Sequence, residues 1–139
     1  MKAFELGAAD SALRQSFESG SLPPAEFSHE KHVRLAYAYL VDSSVDEALM
    51  GIRTGLRNYL RVNGIDPAKY HETLTQAWIL AVRHFMRRCG SASSADDFLA
   101  RNPELLDSRI MLTHYSKEQL FSSDARQTFV EPDLDPIPR

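Results

Sequence analysis

Tyr70-His71-Glu72-Thr73-Leu74-Thr75-Gln76-Ala77-Trp78-Ile79 places an imidazole, a carboxylate and two hydroxyls at the head of the strongest apolar helical pattern in the chain. From there Tyr70, Leu74, Ala77, Trp78, Ala81 and Phe85 recur with helical spacing and form one broad stripe, which ends at Cys89-Gly90. Ile79 and Leu80 fall outside that stripe, so more than one side of this helix needs cover, and it is expected to be the central element. Asp66-Pro67 reads as its N-cap and first-turn proline. Trp78 and the tyrosines on the stripe read as core.

Working back from this stretch, each preceding segment also reads as a helix. Ser44-Val45-Asp46-Glu47 matches a capping box, followed by the stripe Val45, Ala48, Leu49, Ile52, Leu56, Tyr59 and Leu60 and a stop at Asn63-Gly64. Arg53, Arg57 and Arg61 run beside that stripe and read as a face paired with acidic neighbours. Gly51 and Gly55 share another edge, where a neighbouring backbone is expected to come close. Ser28 reads as the N-cap of the helix before, stapled by Phe27; His29, Val33, Ala36 and Leu40 share its inward face, with His32 to one side. A first helix is expected to begin after Asp10 as its N-cap and to stop before Gly20-Ser21-Leu22-Pro23-Pro24. Beyond Gly90, Ser94 caps a short helix, Pro103-Leu106 adds a turn, and Ser116-Lys117-Glu118-Gln119 starts a last helix to about Val130. The prolines from Pro132 onward make the final segment an extended strap, with Leu134 and Ile137 as its apolar contacts. The expected fold is all-α: one domain over residues 1–139, a bundle of five to six helices with an extended tail over 130–139.

Composition narrows the function classes. A chain of 139 residues with 43% apolar and 25% charged side chains suits one globular core. A net charge of −3, from 16 basic against 19 acidic residues, leaves no electrostatic footprint for nucleic acid. No apolar run reaches the roughly 20 residues of a membrane span, and Met1-Lys2-Ala3-Phe4-Glu5-Leu6 has no signal-peptide core. A single cysteine, Cys89, excludes an internal disulfide and a cysteine-rich zinc module, and the expected compartment is the cytoplasm.

Packing parity then brings two histidine motifs together. Short turns join the second, third and fourth helices, so neighbours run antiparallel and the second and fourth share an N-terminal end. His29 and His32 occupy the first turn of one; His71 and Glu72 open the other. Three imidazoles and a carboxylate suit zinc or another first-row divalent metal, with His29, His32 and His71 as ligands and Glu72 as ligand or general base of a hydrolytic site. Helix phase puts Glu72 about 100° from His71, which equally suits a helix cap or a different neighbour. The same helix ends, with Thr73 or Thr75 and Arg126, also suit a phosphate, a carboxylate or another small-molecule anion. In a third reading the histidines hold helix ends together and the domain is a non-catalytic interaction or regulatory module. His84 lies too far along its helix to join the cluster, and His114 reads as an outside candidate.

Phe27-x-His29-x-x-His32-Val33-Arg34-x-Ala36 and Lys69-Tyr70-His71-Glu72-Thr73-x-Thr75-x-x-Trp78 resemble a family of small uncharacterised bacterial all-helical proteins. His114-Tyr115-Ser116 and Glu131-Pro132-Asp133-x-x-Pro136 extend the likeness over most of the chain. The resemblance implies a free-standing helical domain and carries no activity with it.

Overall fold

Hydrogen bonds at the helix starts set the frame. The computed structural model describes residues 3–139; Met1 and Lys2, part of the start read above for a signal peptide, lie outside the described residues. Helix α1 spans Ala8–Ser19, with Gly7 rather than Asp10 at the N-cap position. Asp10 sits inside the first turn, 3% exposed, where its Oδ2 accepts Gly7 N–H at 2.8 Å and Ala95 N–H at 3.0 Å. One carboxylate therefore serves two helix starts, and the second of them is remote in sequence.

Helix α2 (His29–Leu40) opens as expected on Ser28, whose Oγ accepts Lys31 N–H at 3.4 Å. Helix α3 (Val45–Val62) opens on the expected capping box, Ser44 and Glu47 each accepting the other's N–H at 3.1 Å. The start of the next helix differs from the reading above. Asp66-Pro67 begins a separate 3-10 turn, Pro67–Lys69, in which Asp66 Oδ1 accepts Ala68 N–H at 2.9 Å. Tyr70 is extended, with φ −65° and ψ 137°, and so breaks the path. Helix α4 therefore spans Glu72–Cys89, with His71 as its N-cap.

Helix α5 (Ala95–Arg101) is capped by Ser94, and 3-10 turns follow over Pro103–Leu106 and Ser108–Thr113. The expected last helix is divided into α6 (Lys117–Leu120) and α7 (Ser123–Gln127). Ser122 causes the division by capping α7, its Oγ accepting Ala125 N–H at 3.1 Å. The C-terminal strap is present and tied down. Asp133 accepts Ser116 N–H at 2.8 Å and its hydroxyl at 2.7 Å, and Leu134 N–H donates to the His114 carbonyl at 2.9 Å. Ile137 is buried, whereas Leu134 is 54% exposed, so one of the two expected apolar anchors packs.

The fold is an all-α bundle; the described residues contain no strand, only an isolated bridge between Phe4 and Ala92. Helices α1 to α4 pack on one another, with Phe17 at the centre among Phe27, Tyr39 and Tyr59. Two glycines of α3 admit these rings. A Cβ on Gly55 would lie 2.5 Å from Phe17 Cε2, and one on Gly51 would lie 2.8 Å from Tyr39 Cε1. Aromatic side chains of α1 and α2, not a neighbouring backbone, occupy that edge. No helix among the described residues is long and apolar enough to cross a membrane.

Candidate functional site

The shared N-terminal end of α2 and α4 borders a half-open cavity of about 680 Å³, with α3 and the 65–70 connection as further walls. His29 and His32 reach it from α2, and Lys69, Tyr70, His71, Thr75 and Trp78 reach it from α4 and the segment before it. Phe27, Ile52, Leu56, Tyr59, Leu60, Ile65, Leu74 and Ile79 make most of its wall apolar. The two histidine motifs thus meet at one cavity, as the parity of short-looped helices requires. The hydrogen bonds of each group decide what it can still do there.

His71 has no free nitrogen. Its Nδ1 accepts Leu74 N–H at 3.1 Å, which caps α4, and its Nε2 lies 2.8 Å from the Leu120 carbonyl. A carbonyl only accepts, so Nε2 carries the proton and the ring is neutral with both sides engaged. Burial lowers its pKa, the Leu120 hydrogen bond acts in the opposite direction, and the nearby Arg126 charge adds to the lowering. Helix starts are read from Ser, Thr, Asp and Asn, and a histidine filling that place carries no comparable sequence signal.

Glu72 turns away from the cavity toward α3. Arg53 grips it with Nε at 2.9 Å and Nη2 at 2.6 Å, and the Tyr70 hydroxyl donates to the same carboxylate at 2.6 Å. Burial alone would raise the Glu72 pKa, but hydrogen bonds from Arg53 and Tyr70 and the charges of Arg53 and Arg57 outweigh it, and the pKa is lowered. A carboxylate so satisfied is a structural anion, a poor proton acceptor for catalysis. Burial and the same contact push the Tyr70 phenol up to about 12.

The two residues read as anion ligands have different fates. Thr75 lines the cavity, yet its hydroxyl donates back to the His71 carbonyl at 2.8 Å. Arg126 does not line it; its Nη1 donates to the Ala68 carbonyl at 3.1 Å and so pins the turn before α4. Thr73 is fully buried, donating to the Thr128 carbonyl at 3.0 Å and accepting Val130 N–H at 3.1 Å. His114 holds the strap through the Asp135 carbonyl at 2.8 Å, and His84 lies against Phe85, so neither joins the cavity.

His29 and His32 retain capacity. His29 Nε2 lies 2.9 Å from the Leu105 carbonyl, so in the neutral ring Nε2–H donates and Nδ1 is left as an acceptor. Its ring meets Trp78 edge-on at 4.5 Å. His32 stacks on Phe27 at 4.1 Å, and its ring nitrogens make no hydrogen bond among the described residues. The residue is exposed and lines the cavity, while packing around its ring and the adjacent His29 hold its pKa down to about 4. Trp78 is half-buried in the cavity wall rather than enclosed in the core. Trp78, Lys69 and Tyr70 were all visible in the sequence, but helix phase alone does not separate a cavity wall from packed core.

The lowered His32 pKa has a measurable consequence. An unfolded histidine takes up its proton near 6.5 and the folded one near 4, so between those values the unfolded chain binds more protons. Stability is complete above about pH 6.5 and falls as the pH drops through that value toward 4, by about 1 kcal/mol once solvent screening of the exposed residue is included. Urea unfolding of the wild type and of His32→Asn at about pH 7 and pH 5 measures it. The variant should lose less stability on acidification than the wild type, and equal losses in both would assign the proton uptake to another group.

Among the described residues, no group of three or more His, Cys, Asp or Glu side chains is placed to hold a metal ion. Of the four donors read for a metal, His71 and Glu72 are engaged with protein partners, and His29 and His32 remain. No family model, no curated protein and no solved structure matches this chain.

Proposed function

We propose that this chain is a non-catalytic ligand-binding domain whose cavity between α2 and α4 holds a small, mainly apolar molecule. One observation carries the reading: His29 and His32 line the cavity with spare hydrogen-bonding capacity, while the hydroxyls of Tyr59, Tyr70 and Thr75 already donate to protein acceptors. A volume of about 680 Å³ falls in the range of small-molecule sites, about 300–1,000 Å³. Aromatic and aliphatic walls with a few polar groups are the usual composition of such sites.

Trp78 is the only tryptophan in the chain and lines the cavity, so its emission is a direct probe. Titration with small uncharged aromatic compounds is expected to change that emission saturably and to raise the melting temperature. Ala36→Leu, which adds bulk to the wall, should weaken both responses. A Trp78 signal and melt indifferent to every compound would end this reading.

The divalent-metal reading keeps His29 and His32, and their proximity is felt in the effect of His29 on the His32 pKa. Elemental analysis of untagged protein after incubation with zinc, nickel or manganese tests it. A near-stoichiometric ion lost in His29→Ala would move the proposal from an organic ligand to a metal.

A further inference from the structure

We infer that the ligand of this cavity is an apolar acid, a carboxylate on an aromatic or short aliphatic body. The inference rests on the cavity being a ligand site and adds the charge of what it takes. Among the described residues Lys69 is the one formally charged side chain lining it, and no aspartate or glutamate does. The neighbouring carboxylates are occupied elsewhere: Asp66 turns into the Ala68 N–H of its own turn, and Glu72 is held by Arg53 and Tyr70.

Two more cations stand by the same segment. Arg57 lies over the Tyr70 ring at 5.0 Å, and Arg126 holds the Ala68 carbonyl. The Arg53–Glu72 pair cancels and Asp107, which feels His29, is held by Arg109, so among the described residues Lys69, Arg57 and Arg126 stand against Asp66 at this wall, in a chain whose net charge is −3. A positive rim on an acidic chain runs against its average composition, and it favours an anion through long-range attraction as well as contact. The His32 ring, without a hydrogen bond among the described residues and beside Phe27, adds an N–H that a carboxylate can accept. An ammonium would meet Lys69 with no carboxylate in the wall to balance it, and an alcohol would gain a hydrogen bond without the charge.

Phenylbutyrate, phenylbutanol and phenylbutylamine share one apolar body and differ at the head, which makes them suitable probes by calorimetry and thermal melts at neutral pH. The acid is expected to bind roughly three- to tenfold more tightly than the alcohol, with the amine weakest. Raising the salt concentration should shrink the difference between acid and alcohol. Lys69→Met, at an exposed residue with no ion pair among the described residues, should bring the acid down to the level of the alcohol, so that the ratio of acid to alcohol affinity falls to about one. Equal or tighter binding of the alcohol or the amine overturns the charge assignment and leaves the cavity reading standing. Binding of none of the three overturns both.

Discussion

His71→Ala is expected to cost about 2–4 kcal/mol of folding stability, adding a lost helix cap of about 1 to an unsatisfied buried carbonyl of about 1–3. The imidazole spans from the Leu74 N–H at the head of α4 to the Leu120 carbonyl at the end of α6, and it is 7% exposed. Alanine leaves both backbone groups without their partner, and water reaches that position poorly. His71→Asn separates the two roles, because an asparagine caps a helix well but is too short to reach across to Leu120. It should fall between the wild type and His71→Ala in urea unfolding. Amide exchange should then show α6 loosened in both variants and the first turn of α4 loosened chiefly in the alanine variant. A His71→Ala protein as stable as the wild type would mean that the imidazole is held in strain for binding, and the structural role assigned to it would be withdrawn.

Arg53→Leu should destabilise the fold by about 2–4 kcal/mol at neutral pH, because it leaves a buried carboxylate without its counter-charge. The Glu72 side chain is 8% exposed and that of Arg53 33%, so the effect is set at the lower side of fully buried pairs. The double variant Arg53→Leu/Glu72→Leu should recover most of the loss, since no charge is then left stranded. The pH dependence gives an independent check. In the wild type the folded pKa of Glu72 is lowered, so its contribution is present above the unfolded carboxylate range and is lost as pH falls through the folded value. In Arg53→Leu the Glu72 pKa rises, so acidification toward about pH 5 should narrow the gap between variant and wild type. A double variant no more stable than Arg53→Leu would show that the arginine acts through packing of its stem instead of its charge.

Much of the frame was legible because helix starts are local. Ser28, Ser44, Ser94 and Ser116 each cap a backbone N–H three residues on, and each was readable as a cap from its own neighbourhood. Asp10 differs from its local reading because a remote partner is involved. Asp10 left the N-cap position for the first turn of α1, where it also serves Ala95. The last helix reads as continuous from sequence because Ser122 looks like an ordinary helix-surface serine, whereas it turns to cap α7.

Helical period, cap chemistry and short turns were enough to specify an all-α bundle in which the ends of α2 and α4 carrying His29, His32 and His71 meet. Each of those signals acts within a few residues along the chain, so sequence order alone contains them. Which of the converging groups stays available was decided only by tertiary structure. His71 is consumed by a carbonyl 49 residues away, Glu72 by an arginine 19 residues away and Thr73 by the chain at Thr128, 55 residues away. His29 also has a remote carbonyl, 76 residues away, but it uses one nitrogen and leaves the other open. A buried polar group takes whichever partner the fold brings within hydrogen-bond distance, because leaving it unpaired costs more than the choice of partner does.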